Sequence, residues 1–468
     1  MRNSLRPVNR LPPEIIAFIA RCVMGDHAVD AIAIVPLTHV CRYWRESIIS
    51  TPENWALISG QNEDMATVSL ERAKAAPLTL LFNLHLDAEF PSLPDVIVPY
   101  LQNTRTLVVC LIPSIGKFTT MFPNFPQSMP NLQSLTLSLS YDADRDGFID
   151  LFDSFVPSLK YLSLENIPLH PSLLGLRALT ELAIHDSQFN LHLDTLLDFL
   201  EATYSLERAT LEIDFLEPSL RISQRRTAMK NQLRYLWIES WDVTNAQALI
   251  SSIPLRKGSH LQVHLLGKDA TLSDVIPSIS TGHLLNLQSP TFFELENKSS
   301  FRCILLRGPG GTFSFGRTSL PEEPFEDFSQ LPLANVREVN LLYSGRSRTN
   351  GTVLPVFSLS PFPLLETLAV KWGKNPLRIL SDLLPNPSSS PTLKTLAFLN
   401  CNLSEEFMEG LKKFASERQN TATSTWLYRV LIVREDGVFP NAASIRSLRD
   451  YVKVVDVRMG DRLPTDLT

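Results

Sequence analysis

Hydrophobic positions along most of this chain follow a short recurring phrase, LxxLxL, in which apolar anchors are separated by one or two other residues. Because successive residues of a strand point to opposite faces, the leucines of such a phrase enter a core and the residues between them face outward. Each copy therefore predicts one short strand with a buried face. The clear copies begin at Leu132, Leu159, Leu179, Leu233, Val336, Leu365 and Leu393, and a degenerate copy begins at Leu206.

The spacing of the copies indicates a repeat. Most successive copies begin 27–29 residues apart, with one shorter interval of 20, and periods of this length with this phrase are typical of leucine-rich repeats. One unit cannot bury its own apolar face, so neighbouring units must stack into a curved α/β solenoid, predicted over residues 61–468. The connections LDTLLDFLEAT and LSEEFMEGLKKFASER are predicted to be helical, and looser copies begin at Thr106, Leu427 and Val452.

The phrase weakens between residues 255 and 330. The segments HLQVHLLG, PTFFELEN and FRCILLRGPGGTFSFG alternate like strands joined by turns. They are either a degenerate part of the same solenoid with strands paired as hairpins, or an insertion. The glycine-rich RGPGGTFSFG lacks the lysine of a phosphate-binding loop and predicts a hairpin turn. His260 and His264 are four apart on a predicted strand, so they do not face one metal as they would on a helix.

The first sixty residues have a helical pattern instead. Pro12 and Pro13 suit the first turn of a helix, and Ile15, Ile16, Ile19 and Val23 predict its apolar face. A second helix is predicted to begin near Leu37, with an apolar side at Leu37, Val40, Cys41, Trp44 and Ile48. TPENW ends that helix, and Trp55 is expected to fold back as an anchor.

These segments together resemble an F-box: LPPEII, then LTHVCRYWRESIIS, then a tryptophan about ten residues later, over residues 8–58 of a predicted domain at residues 1–60. The resemblance implies a small all-α module that docks the Skp-family adaptor of a cullin–RING ubiquitin ligase. The alternative is a helical cap that packs only on the rest of the chain. The motif positions that the resemblance assigns to adaptor binding are Leu11, Pro12, Glu14, Ile15, Ile16, Val40, Cys41 and Trp44.

Composition narrows the class of protein. The chain has 468 residues, of which 44% are hydrophobic, and a net charge of −6 without a lysine- or arginine-rich block. A large hydrophobic core is therefore expected. Neither a nucleic-acid partner nor association with a membrane is expected. Five scattered cysteines without a CxxC pair suggest buried thiols in a reducing compartment, and no signal peptide pattern is found, so a cytoplasmic or nuclear location is expected.

The outward strand positions predict a recognition surface. The middle units place glutamates beside tryptophans, which would suit a basic protein segment with an aromatic anchor. The alternative is an ordinary solvated strand face. The residues predicted to contact a protein substrate are Glu165, His185, Glu212, Trp237, Glu239 and Lys371.

One acidic stretch, DADRDGFIDLFD, approaches the EF-hand calcium loop pattern. A repeat strand precedes it where an EF-hand needs a helix, and its twelfth position is an aspartate. It is therefore expected to join two repeats, and a strand-entered calcium site is the weaker alternative. The candidate calcium ligands are Asp142, Asp144, Asp146, Asp150 and Asp153.

No catalytic motif emerges, so the chain is expected not to be an enzyme and to need no cofactor. An F-box followed by an irregular leucine-rich array resembles the F-box proteins that are numerous in mushroom-forming fungi. That resemblance implies a non-catalytic substrate-recognition subunit of an SCF-type ubiquitin ligase. The alternative function is a structural or interaction repeat protein, with the helical segment as its N-terminal cap and calcium bound through residues 142–153.

Overall fold

The structure is a computed structural model with a mixed α/β fold. It divides into two compact units, Met1–Gln232 and Leu233–Thr468, and the predicted boundary near residue 60 lies inside the first. The residues it describes are 10–24, 31–60, 62–83, 96–114, 122, 125, 129–144, 158–167, 169, 176–186, 191–213, 216–217, 232–253, 255–267, 272–275, 288–298, 301–318, 328, 331–343, 359–372, 390–401, 403–420, 426–434 and 439–459.

The first unit begins with helices. They are α1 (Pro13–Met24), α2 (Val35–Thr38), α3 (Arg42–Ile49) and α4 (Glu63–Ala73). The Pro12 carbonyl accepts the backbone N–H groups of Ile15 and Ile16 at 3.0 and 3.2 Å, which starts α1 where the prolines predict it.

The second predicted helix is wrong as a single element. The chain leaves helical geometry after Thr38, and Cys41 is extended with a φ of −164° before α3 begins at Arg42. The side-chain hydroxyl of Thr38 donates to the Val35 carbonyl at 2.7 Å, within the last turn of α2. The helical spacing of apolar residues in the sequence continues through this break between α2 and α3. The pattern therefore predicted one helix where local hydrogen bonds end the first one.

The strands of the first unit form a parallel sheet, with one strand per predicted repeat. In register, Leu135 of one strand faces Leu162 of the next, and Leu162 faces Leu182. The strands in sheet order are β1 (Leu57–Ser59), β2 (Leu78–Asn83), β3 (Thr104–Ser114), β4 (Ser134–Asp144), β5 (Tyr161–Glu165), β6 (Glu181–Asp186) and β8 (Arg208–Ile213). A separate pair, β7 (Leu191–His192) and β9 (Leu216–Glu217), flanks α5 (Leu193–Ala202), the predicted helical connection.

A common turn leads into the repeat strands. The backbone N–H of the first leucine donates to the carbonyl three residues earlier, as from Leu132 to Met129 and from Leu179 to Leu176, at 3.1 and 3.3 Å. The second residue of each phrase then donates to the matching residue of the preceding repeat, as from Lys160 to Gln133. These local bonds fix the register that brings the leucines together, and the leucines are almost fully buried.

The second unit has a parallel sheet with one reversed strand. Its spatial order is β10–β11–β14–β13–β12–β15–β16–β17–β18–β19, and β13 alone among these described strands is antiparallel, to both of its neighbours. The strands are β10 (Tyr235–Ser240), β11 (Ser259–Leu265), β12 (Phe292–Lys298), β13 (Phe301–Gly308), β14 (Gly311–Thr318), β15 (Glu338–Tyr343), β16 (Thr367–Trp372), β17 (Thr395–Leu399), β18 (Arg429–Arg434) and β19 (Val454–Met459).

The weakened region is thus part of this sheet. Strands β12, β13 and β14 pair as two consecutive hairpins, and β14 and β12 then pair parallel with β11 and β15. The predicted turn in RGPGGTFSFG joins β13 to β14 with Gly308 opposite Gly311, which confirms the hairpin. His260 and His264 lie on β11 as predicted.

Helices connect the repeats of the second unit. They are α6 (Val243–Ser252), α7 (Leu272–Val275), α8 (Glu405–Asn420) and α9 (Ala442–Leu448). The predicted helical connection LSEEFMEGLKKFASER is α8, which buries Phe407, Leu411 and Phe414. Within each unit, the leucines of the repeated strands meet in a core. This arrangement is consistent with the solenoid-like fold predicted from the phrase.

Candidate functional site

The helical segment at the start of the chain is the first candidate surface. Its inner face packs Ile16, Ala20, Trp44 and Ile48, each at most 5% exposed. The Tyr43 hydroxyl donates to the Leu11 carbonyl at 2.8 Å, which ties the start of α1 to α3. The helices therefore pack against one another around a small apolar core.

Some of the residues predicted to bind an adaptor are buried inside the helical segment, and others lie on its surface. Ile16 and Trp44 lie in the interior of the helical segment, 0% and 5% exposed, where they hold the helices together, and their contact with an adaptor stays a prediction. Ile15 and Val40 are exposed by 44% and 47%. Of the remaining positions, Pro12 and Glu14 are exposed, and Leu11 and Cys41 are half-buried.

An exposed apolar face of α1 was only partly predicted. Phe18 is 56% exposed and Val23 is 49% exposed, on the same helix as Ile15 and the exposed Cys22. Residues 15, 18 and 22 recur at helical spacing and lie on one side of α1. We refer to Ile15, Phe18, Cys22 and Val23 as the outer face of α1. The sequence contained the signal for Phe18, because α1 is apolar around most of its circumference.

The end of the helical segment is anchored to the repeat region that follows it. Trp55 is 1% exposed, and its indole N–H donates to the Ile48 carbonyl at 3.0 Å. The Arg72 guanidinium of α4 lies 4.3 Å from the centroid of the Trp55 ring. The predicted folding back of Trp55 is confirmed, and α4 completes its pocket.

Three of the predicted substrate residues share one row on the sheet of the first unit. Glu165 of β5 is in register with His185 of β6, and His185 with Glu212 of β8. The His185 Nδ1 atom lies 2.7 Å from Glu212 Oε2. The row is therefore an acidic surface in which a carboxylate contacts the one histidine.

The charge of Glu165 also acts on a cysteine of the same unit. Burial first, and the charge of Glu165 second, raise the pKa of the Cys110 thiol.

Two further predicted residues lie on β10 of the second unit. Glu239 Oε2 is 3.1 Å from His264 Nδ1, and Trp237 is half-buried opposite Gln262. Trp241, just after the strand, is 60% exposed. The predicted combination of a carboxylate and an aromatic side chain is therefore present, although His264 already engages the carboxylate.

Lys371, the last predicted substrate residue, has different surroundings from those expected. It is half-buried between Leu342 and Leu399 in register. The neighbouring outward positions form a buried apolar cluster, so a solvated strand face is wrong for this part of the sheet. The cluster consists of Ala369, Ala397, Leu399, Leu431 and Val433, each 0–4% exposed.

Two glutamates lie side by side on the same sheet. Glu294 of β12 is opposite Asn340 of β15, and Glu338 lies two residues before Asn340. Burial raises the pKa of both carboxyl groups, against hydrogen bonds from Asn340 and the charge of Arg307, which lower it. This pair was not predicted, because its strand pairing joins segments that the repeat phrase does not align.

No protein-family model matches the chain, and comparison with curated proteins gives no match.

The metal and thiol chemistry of the described residues is sparse. In the part of the chain that the structure describes, no group of three or more histidine, cysteine, aspartate or glutamate side chains is placed to hold a metal ion. Asp142 and Asp144 end β4, and Asp146, Asp150 and Asp153 of the candidate calcium loop lie outside the described residues. None of the five cysteines forms a disulfide: Cys401 is buried as expected, Cys41, Cys110 and Cys303 are half-buried, and only Cys22 is exposed, so the expectation of buried thiols is wrong for Cys22 and only partly met by the half-buried three.

None of the helices in the described ranges is long and apolar enough to cross a membrane.

Proposed function

We propose that this protein is a substrate-recognition subunit of a cullin–RING ubiquitin ligase, in which the helical segment docks a Skp-family adaptor and the repeats hold a protein substrate. In this proposal the chain is not an enzyme. It accelerates ubiquitin transfer by other subunits because a held substrate has a raised effective concentration near the charged carrier.

The outer face of α1 is the observation that carries the adaptor half of the proposal. Apolar side chains such as Phe18 that stay about half exposed on a packed helix favour a protein partner, because burying them removes apolar surface from water. Charged residues border this face, with Glu14 at the start of the helix and Arg21 in its last turn. An apolar centre with a polar rim is the usual anatomy of a protein interface.

The substrate half of the proposal is supported by the row Glu165, His185 and Glu212 and by Trp237 with Glu239. Both groups occupy strand positions whose side chains point away from the leucine core. Aromatic and charged residues at such positions are common contributors to binding energy.

The adaptor contact can be tested in the full-length chain. We expect Ile15→Asp with Phe18→Asp to weaken capture by a purified Skp-family adaptor about tenfold or more, because two charges enter the centre of the interface. Trp44→Ala is a poor test because Trp44 is buried and its loss disturbs the fold.

A matched control carries the same charge change elsewhere in the first unit. Val98 and Tyr204 are 49% and 51% exposed, and we expect Val98→Asp with Tyr204→Asp to bind the adaptor like the wild type. Undiminished capture of the α1 double variant, with circular dichroism showing that all three proteins are folded, rejects the docking assignment.

A second candidate function has one observation in its favour. The contact of Trp55 with Arg72 joins the helical segment to α4, as expected of a structural cap on a repeat array. A cap alone predicts no adaptor capture by the wild-type chain, so the same pull-down separates the two functions.

A further inference from the structure

A groove in the first unit is bordered by positive charge. It lies where strands β1 to β5 begin and holds a volume of about 720 Å³. Arg21 of α1, Arg105 and Lys160 line it together with a single carboxylate, Glu53. This local excess of positive charge contrasts with the net charge of −6 of the whole chain.

The three cations are available to a ligand. All three side chains are exposed, and none of them has a carboxylate at ion-pair distance among the described residues. Arg105 is partly oriented, because its Nε donates to Gln133 Oε1 at 3.0 Å. Elsewhere, the same kind of strand-entry position is neutralised: Glu366 pairs with Arg337 and Lys394 at 3.3 and 3.0 Å. The groove therefore carries unbalanced positive charge, whereas opposite charges are paired around Glu366.

The floor of the groove suits a polypeptide. Ala56, Leu57 and Pro77 supply apolar surface, and Thr79, Thr106 and Ser134 supply hydroxyl groups. A single small anion would leave most of this lining unused, whereas a peptide main chain and its side chains would use both the apolar and the polar parts.

The spacing of the cations fits an extended chain. The backbone N–H of Gln133 donates to Arg105, and that of Lys160 donates to Gln133, so Arg105 and Lys160 are two ladder steps apart. Neighbouring strands are about 4.8 Å apart, so two steps span about 9.6 Å. An extended peptide in the polyproline II conformation has three residues per turn and advances about 3.1 Å per residue, so acidic residues three apart lie on one side of it, about 9.3 Å apart, and match the two cations.

We propose that this groove binds an extended acidic segment of a protein, with anionic side chains facing Arg105, Lys160 and Arg21. Carboxylate and phosphate side chains share the required chemistry, and the guanidinium groups suit either of them. Binding of an acidic segment is inferred from the groove alone. That such a segment belongs to a substrate of the ligase rests on the proposed function.

The test is fluorescence anisotropy on the full-length chain with three peptides of the same neutral sequence. Every third position is glutamate in the first, phosphoserine in the second and glutamine in the third. We expect an anionic peptide to bind and the glutamine peptide not to bind, with affinity falling as salt is raised. The tighter of the two anionic peptides identifies the source of the negative charge.

Charge reversal locates the site. We expect Arg105→Glu with Lys160→Glu to weaken binding of the anionic peptide about tenfold or more. Arg177→Glu with Lys257→Glu changes the net charge equally at exposed positions outside the groove, and we expect it to stay within about twofold of the wild type. Failure of both anionic peptides to bind the wild type, or an equal loss in both double variants, overturns the proposal.

The same proteins separate this inference from the proposed function. We expect Arg105→Glu with Lys160→Glu to bind the Skp-family adaptor like the wild type. Absence of adaptor capture by the wild type would reject the ligase role, while the peptide titration would still decide whether the groove binds acidic segments.

Discussion

The Arg72 guanidinium lies 4.3 Å from the centroid of the Trp55 indole ring, so that α4 covers the tryptophan that ends the helical segment. We expect Arg72→Ala to lower the free energy of unfolding by about 0.5–1.5 kcal/mol, because the contact of a half-buried guanidinium with a buried indole ring is lost. Arg72→Lys keeps a cation and is expected to lose less. Urea denaturation of the full-length chain measures both, and equal losses for the two variants would contradict the contact.

The same contact predicts where the helical segment can be cut. A fragment that ends at Gly60 lacks α4, whereas one that ends at Asn83 retains α4 and β2. We expect the shorter fragment to expose Trp55 and to show red-shifted tryptophan emission and weaker adaptor capture. Indistinguishable emission from the two fragments would show that α4 is not needed to bury Trp55.

Gly311, at the start of β14, has a backbone that other residues rarely adopt and no room for a side chain. Its φ is +124°, and an added Cβ would lie 2.1 Å from the Ser259 carbonyl oxygen. We expect Gly311→Ala to cost about 2–4 kcal/mol of stability, from strain and overlap together. Gly258 has a φ of +87° but no atom within 4 Å of an added Cβ, so Gly258→Ala should cost only about 1 kcal/mol. Thermal melts that rank the two variants in the opposite order would refute this account.

Arg418 of α8 is fully buried and serves the turn that precedes β17. Its guanidinium donates to the carbonyls of Ser390, Pro391 and Leu393 at 2.9, 3.3 and 3.0 Å, and burial lowers its pKa. We expect Arg418→Met to lower stability by about 3 kcal/mol, because these carbonyls lose their donors. Lys413 on the same helix is exposed, so Lys413→Met is the control and should change stability by less than about 0.5 kcal/mol. Equal denaturation midpoints for the two variants would exclude this role.

The neighbouring carboxyls of Glu294 and Glu338 predict a pH dependence. Burial raises the pKa of each above the ordinary 4.5, so the folded chain binds more protons than the unfolded chain just above that pH. Their contribution to stability therefore falls as the pH rises from 4.5 through the raised pKa values. We expect Glu338→Gln to stabilise the protein at pH 7 by about 0.2–1 kcal/mol, a gain that disappears below pH 4.5. Melting temperatures of both proteins across this range give the difference, and a gain that grows in acid would reverse the argument.

The repeat strands could be predicted from the sequence because alternation within a strand is a local property. Leu135, Leu162 and Leu182 lie where the phrase places them, aligned across three strands. The buried outward cluster also left a signal. Ala397 and Leu399 sit beside core residues in a continuous apolar run, and such a run indicates a strand buried on both faces.

Other features depend on contacts that no local pattern encodes. Ile15 and Ile16 are adjacent on an apolar helix, and only its packing decides that Ile16 is buried and Ile15 is exposed. Cys41 interrupts a predicted helix whose apolar spacing is unbroken. The groove joins Arg21 to Arg105 and Lys160, residues far apart in the chain whose meeting depends on how α1 packs.

The reversed strand β13 has a consequence for how the second unit folds. In a simple repeat array each strand can add to the one just before it in the chain, so order spreads by short steps. Here β11 meets β14 and β12 meets β15, so the two hairpins of β12, β13 and β14 must close before the sheet is continuous. We therefore expect the strands on either side of β12, β13 and β14 within this unit to become ordered separately, and the slower pairing of these two hairpins to join them.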